Sequence, residues 1–259
     1  MFRSTRLLTR TRPLLALATL LLVPVLGMAA DETDYAAVLR AIDRSRSFDA
    51  TDFSAVVTVV SEKPDEETSV FKAQMFRRDA EDKFVMVFLE PDVQRGQGYL
   101  QVDDNLWFYD PDSRKFSHSS MRESLQDSEA RNSDLNESSL ADDYTVEAAS
   151  EGRLGRYDVH ILELSARHNE VAFPHLKLWV RRDNDLVLKA QNFSLSGRLV
   201  RSDYFPKYVR IEDRLLPSQM LFVDELKAGE RTQVTMANTS LARVPDSVFS
   251  KSYLERVNR

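Results

Sequence analysis

From Phe53 onward, apolar residues recur at every second position, and they do so in about a dozen short segments separated by polar turns. A period of two places alternate side chains on opposite faces of an extended chain. Phe53, Ala55, Val57 and Val59 alternate with Ser54, Val56, Thr58 and Val60. Lys63-Pro64-Asp65-Glu66 is a turn, Val70–Arg77 the next strand, Asp79-Ala80-Glu81-Asp82 the next turn, and Lys83–Glu90 the third strand. The pattern continues through Tyr99–Val102, Leu106–Tyr109 and Lys115–Ser119. It resumes at Tyr157–Leu164, Leu176–Arg181, Leu186–Phe193, Arg198–Tyr204, Tyr208–Glu212, Leu215–Val223 and Arg231–Ala237. Close spacing of short strands with Asn, Asp, Gly and Ser turns predicts an antiparallel meander, so the chain is mainly β (α+β).

The pattern is different at the start and in the middle. Residues 1–30 carry Arg3, Arg6, Arg10 and Arg12, then an apolar run from Leu14 to Leu26, then Gly27-Met28-Ala29-Ala30. That order is the signature of a cleaved secretory signal, and a run of thirteen residues, interrupted only by Thr19 and Pro24, falls short of the roughly 20 that span a bilayer. Residues 31–259 then form a single domain, exported to the periplasm. The formal net charge of −6 becomes −10 without the four arginines, which argues against nucleic acid as a partner. Asp31–Phe48 reads as an amphipathic helix with Tyr35, Val38, Leu39 and Ile42 on one side and Asp31 or Thr33 as cap. Met121–Ala149 is acidic and aperiodic, with Leu125, Leu135 and Leu140 as its sparse apolar points. It reads as loop and short helices, either a lid or a solvated connection. Pro245–Val257 reads as a short helix closing one end of the sheet.

Catalytic and metal signatures are missing. The chain has no cysteine, which excludes disulfides, thiolate metal sites, a Cys nucleophile and an N-terminal lipid-modified Cys. His118, His160, His168 and His175 have no metal-ligand spacing, and there is no G-x-S-x-G elbow or phosphate-binding loop. His160 reads as a half-buried strand position. Asp110-Pro111-Asp112-Ser113 reads as a hairpin turn, not a calcium loop. No catalytic residue, metal or cofactor is expected, and the chain is not expected to be an enzyme.

What the sequence has in excess is apolar surface. On the third strand Phe84, Met86 and Phe88 occupy one face while Val85, Val87 and Leu89 occupy the other. Such a sheet either packs as a sandwich or curves round a cavity. Composition alone leaves both open, with the sandwich preferred.

The segment Asp104-Asn105-Leu106-Trp107-Phe108-Tyr109-Asp110-Pro111 resembles the D-x-x-W-x-Y-D-P hairpin of the LolA-like family of outer membrane lipoprotein-sorting proteins. Phe88-Leu89-Glu90-Pro91, Arg95-Gly96, Tyr99-Leu100, Asn132-Ser133-Asp134-Leu135, Asp142-Asp143-Tyr144, Leu178-Trp179-Val180, Arg214-Leu215-Leu216-Pro217 and Arg231-Thr232 extend the likeness over the chain after residue 30. Asn132 and Leu135 depart from it, standing where the family has Gly and an aromatic. Trp107, Tyr109, Pro111, Ser133 and Asp134 are the motif positions.

The resemblance implies a strongly curved antiparallel sheet, a half-open β-barrel of LolA-like type with covering helices. This reverses the preference for a sandwich. It also implies a soluble, freely diffusing monomeric carrier that shields acyl chains of a lipid or lipoprotein. The implied partners are an inner-membrane exporter of RND or ABC type and an outer-membrane acceptor. The alternative is a sensor or adaptor of an exporter or envelope-stress regulator using the same fold. Alternation then assigns Phe53, Val57, Val59, Phe71, Met75, Phe84, Met86, Phe88, Leu176, Leu178 and Val180 to the cavity wall. On the third strand a one-residue shift would invert that assignment. Tyr35, Val38, Leu39 and Ile42, with Leu125, Leu135 and Leu140, form the lid.

Overall fold

The computed structural model describes Met1 and residues 33–136 and 139–257. The chain divides into two units, Met1–Thr33 and Asp34–Arg259. The export signal expected over residues 1–30 lies outside the described residues, Met1 apart. No helix among those described is long and apolar enough to cross a membrane.

The second unit opens with α1 (Tyr35–Arg46). Its cap is Asp34, whose Oδ1 accepts from the Ala37 N–H at 3.0 Å, in place of Asp31 or Thr33. Val38, Leu39 and Ile42 are its buried stripe. Six strands follow: β1 (Phe53–Glu62), β2 (Ser69–Arg78), β3 (Lys83–Glu90), β4 (Gly98–Val102), β5 (Asn105–Asp110) and β6 (Lys115–Ser119). An insert containing α2 (Leu140–Asp143) leads to β7 (Tyr144–Leu154). Then come β8 (Tyr157–Ala166), β9 (His175–Arg181), β10 (Val187–Phe193), β11 (Leu199–Ile211), β12 (Arg214–Asp224) and β13 (Arg231–Ser240), with α3 (Lys251–Arg256) last.

All thirteen strands form one antiparallel sheet in the order β6-β5-β4-β3-β2-β1-β13-β12-β11-β10-β9-β8-β7. The chain starts in the middle, meanders out to β6, crosses through the insert to β7 on the far edge, and meanders back to pair β13 with β1. The sheet is curved and unclosed. A sheet this wide curls under its own twist, and register shifts at Ser54/Val56, Lys72/Ala73, Val187/Lys189 and Tyr204/Lys207 add local bends.

Three further sequence expectations change. Met121–Ala149 is not loop and short helix throughout, because Tyr144–Ala149 belong to β7. That edge strand is mostly exposed and lacks the apolar alternation that marks the others. Arg198–Tyr204 and Tyr208–Glu212 are parts of a single strand, β11, with register shifts on either side of Lys207. Pro206, which has no N–H to give the ladder, lies at the first shift. Third, the C-terminal helix does not close an end of the sheet but packs on its outer face. There Val85, Val87, Leu100 and Tyr109 form a second core with Val244, Val248, Phe249 and Leu254. This explains why β3 is apolar on both sides: Phe84, Met86 and Phe88 face the main inner core, and Val85 and Val87 meet the C-terminal segment.

Candidate functional site

The inner face is covered in two ways. Over β1–β5 the insert seals it. Leu125, Ala130 and Leu135 are buried in the main core with Phe53, Phe71, Met75, Phe84, Met86 and Phe88. The insert holds its path through the Leu125 N–H to the Ala130 carbonyl at 2.7 Å. The Glu129 N–H donates to Thr232 Oγ1 on β13 at 2.9 Å.

Over β9–β12 the face stays open beneath α1 and α2, leaving a cavity of about 690 Å³. Its floor is apolar: Leu176 and Leu178 from β9, Val187 and Ala190 from β10, Phe205 from β11, Met220 and Phe222 from β12. Its mouth carries charges of both signs, with Asp49, Asp82, Asp142 and Glu170 exposed beside Arg44 and Arg122. Two helices roof it through one carboxylate: Asp43 of α1 accepts the Leu140 N–H at 3.0 Å and the Ala141 N–H at 2.8 Å. A side-chain acceptor there satisfies donors that a helix start leaves open.

The wall carries a buried ionic cluster. Arg201 of β11 donates from Nη1 to Asp134 Oδ2 at 2.7 Å and from Nη2 to Asp134 Oδ1 at 2.8 Å. Nη1 also reaches the Glu129 carbonyl at 2.8 Å. On the sheet side Nη2 donates to Asp203 Oδ2 at 3.0 Å, and Asn192 Nδ2 donates to the same oxygen at 2.7 Å. Phe222 and Phe173 lie 4.5 Å and 4.9 Å from the guanidinium. Burial alone would lower the Arg201 pKa, but Asp134 and Asp203 more than reverse it, so the cation is fixed. Burial pushes Asp203 up despite Arg201, and nearby Asp134 pushes the same way.

Arg46 at the end of α1 also lines the cavity, as do the exposed Arg44 and Arg122. The carbonyls of Arg46 and Ser47 cap the helix end by accepting from Arg77 Nη2, at 3.3 Å, and Arg214 Nη1. Arg77 is held by Asp79, whose Oδ2 also accepts the Phe48 N–H at 2.8 Å.

Of the residues assigned to the cavity from alternation, Leu176 and Leu178 line it. Val57, Val59, Phe71, Met75, Phe84, Met86, Phe88 and Val180 are packed solid in the inner core, and Phe53 borders only a separate void of about 30 Å³. Of the lid residues, Leu140 lines the cavity, Tyr35 packs against the core, and Val38, Leu39, Ile42, Leu125 and Leu135 are inside it. Ser133 and Asp134 border the cavity. Trp107 and Tyr109 do not, since they face the outer core, where Lys251 of α3 lies 4.3 Å from the Trp107 ring. Pro111 sits in a turn built by Asp110, which accepts the Asp112 N–H at 3.0 Å. His160 is buried with its ring edge-on to Tyr35 at 5.4 Å.

Alternation did not flag Arg201, Asp203 and Asn192. Arg201 and Asp203 did carry a signal, as charged residues two apart on one strand at positions that face inward, whereas Asn192 on β10 carried none. Arg46 also had a signal, lying seven residues after Leu39 and four after Ile42 on the apolar stripe of α1. Outside the cavity, Glu129, Asp224 and Glu230 bring three carboxylates together. Burial raises Glu129, and Lys227 Nζ offsets the group by donating to Glu230 at 3.3 Å.

This curved, unclosed sheet roofed by helices over an apolar hollow is a LolA-like half-open barrel. A LolA superfamily protein from Nitrosomonas europaea is similar with a TM-score of 0.73 at 24% identity, over 84% of this chain and 97% of that one. A putative outer membrane lipoprotein-sorting protein domain from Vibrio parahaemolyticus gives 0.73 at 19%, over 84% and 98%. A DUF1329 family protein from Desulfovibrio piger ATCC 29098 gives 0.72 at 23%, over 84% and 98%. Residues 80–256 match a family model described as "-like: Uncharacterized protein", and the chain belongs to that family. No curated protein matches the chain.

Proposed function

We propose that this chain is a periplasmic carrier. It takes up acyl chains of a lipid or lipoprotein in the cavity over β9–β12 and moves them between the inner and outer membranes. The observation that carries the reading is the cavity itself: about 690 Å³ of space with an apolar floor, left open in a sheet whose other inner half is tightly packed. Exposing an acyl chain to water costs about 0.8 kcal/mol per CH₂, so burying ten methylenes is worth about 8 kcal/mol on the same scale. The LolA-like fold of the compared structures supports the same reading.

In this account residues 1–30 are a cleaved export signal and residues 31–259 one lipid-binding domain that diffuses as a monomer. An RND- or ABC-type exporter loads it, and an acceptor at the outer membrane unloads it. Its chemistry is binding, without catalysis. The experiment is native mass spectrometry of protein purified from the periplasm, before and after lipid extraction. A co-purifying acyl lipid that extraction removes is the expected result. Lipid-free protein that takes up no acyl probe would remove the basis for the proposal.

A further inference from the structure

Four arginines line the cavity; Arg44 and Arg122 are exposed to solvent, while Arg46 and Arg201 are not, and the surroundings of these two differ. Arg201 is matched by Asp134 and Asp203, and each of its terminal nitrogens donates to a carboxylate. Among the described residues the Arg46 guanidinium makes no hydrogen bond and no ion pair. It lies over the Phe205 ring on the cavity floor, 5.8 Å from the ring centre. The carboxylates that could neutralise it are engaged elsewhere. Both oxygens of Asp134 are taken by Arg201, and one of them also accepts the Arg131 N–H at 2.7 Å. Both oxygens of Asp43 accept N–H groups at the start of α2.

Arg46 is half-buried, and a cation withdrawn from water without an ion-pair partner is costly to keep. Burial lowers the Arg46 pKa, with Arg77 acting in the same direction and Tyr208, Asp134 and Asp43 opposing. The exposed carboxylates at the mouth are screened by solvent and salt, with a Debye length of about 8 Å, so they do little for a group inside. A planar guanidinium fork matches a carboxylate or phosphate with two parallel donors. It sits where the apolar stripe of α1 meets an apolar floor.

We propose that Arg46 is the headgroup site of this cavity: it binds the single anionic head, carboxylate or phosphate monoester, of an acyl amphiphile whose chain lies along Leu178, Ala190, Met220 and Phe222. The inference rests on the carrier reading and narrows its cargo to anionic amphiphiles.

The test is displacement of Nile red, a neutral probe, from the delipidated full chain. Three competitors of equal chain length are used: palmitate, 1-palmitoyl-lysophosphatidate and 1-monopalmitoylglycerol. A charge-assisted hydrogen-bonded contact predicts that one or both anionic competitors bind about 10- to 100-fold tighter than the glyceride. The stronger of the two identifies the head as carboxylate or phosphate. Arg46→Met is expected to bring the anionic competitors to the affinity of the neutral one. Arg46→Lys, which keeps the charge but loses the fork, is expected to retain part of the preference and serves as the second variant if the methionine form fails to fold. Equal binding of all three competitors, or a preference that survives Arg46→Met, would overturn the headgroup site while leaving the carrier reading intact. Binding of none of the three would overturn both.

Discussion

Arg201 grips Asp134 through two parallel donors at 2.7 Å and 2.8 Å, joining the middle of the sheet to an insert 67 positions earlier in the chain. The same guanidinium is held on the other side by Asp203. Removing the cation would leave two buried carboxylates facing each other. Arg201→Met is therefore expected to cost about 3–5 kcal/mol, read by urea unfolding. A double-mutant cycle with Asp134→Asn should show strong coupling, since the two side chains act as one unit. Independent, additive effects would show that the Arg201–Asp134 pair does not act as a unit in holding the insert.

The outer core has its own clasp. Asp52 accepts from Arg78 Nε at 2.8 Å and Nη2 at 3.0 Å, and from the Val244 N–H at 2.6 Å. The Arg78 hydrogen bonds hold the Asp52 carboxyl below its ordinary value. A folded pKa depressed below the unfolded one contributes stability that is present above the unfolded value, about 3.9, and lost as pH falls through the folded value. Stability should therefore hold from neutral pH to about 5 and decline below about 4. Asp52→Asn should start about 3 kcal/mol lower and show a shallower acid decline. Chemical unfolding across pH 2–7 reads both, and an identical acid profile in the variant would refute the assignment.

Sealing of one inner half and opening of the other predicts opposite effects for two bulky substitutions. Ala190 faces the cavity, opposite Leu178 and Asp203 on the flanking strands. Ala190→Phe should fill the space and cut acyl-probe uptake at least tenfold while the protein still unfolds cooperatively. Met86 has no exposed surface and is not among the residues that line the cavity, so Met86→Trp should destabilise by about 1–3 kcal/mol through overpacking. Uptake lost in the tryptophan variant, in protein that remains folded, would move the cavity to β3.

Gly98 is needed for contact, not for backbone freedom. A Cβ there would lie 2.3 Å from the Met86 carbonyl oxygen and 3.0 Å from Leu254 Cδ2. Gly98→Ala should separate β4 from β3 and lift α3, costing about 1–3 kcal/mol in thermal or urea unfolding. A neutral substitution would mean that α3 packs elsewhere in solution.

Much of the sheet was legible because alternation is a local signal. β3 and β6 fall where the sequence placed them, and Phe84, Met86 and Phe88 share one face. β7 was not legible, because an exposed edge strand has no apolar face to display. The cavity position was legible only in part. Alternation tells which residues face inward but not which of them the insert will cover, and the insert follows its path through contacts such as Arg201 to Asp134 that span 67 positions. Leu176 and Phe84 therefore look alike in sequence, yet one lines the cavity and the other is packed. The Trp107 and Tyr109 motif was visible as a hairpin, but only the path of α3 reveals that it faces the outer core.

The most direct test of the account is photo-labelling of the delipidated protein with a palmitate analogue carrying a diazirine near the end of its chain, followed by peptide mass spectrometry to locate the modified residues. The account predicts labels on β9–β12 at residues such as Leu178, Val187, Met220 and Phe222, suppressed by excess palmitate and by Ala190→Phe. Labels concentrated on β1–β3 or on the outer face, or labelling that palmitate does not compete away, would contradict it.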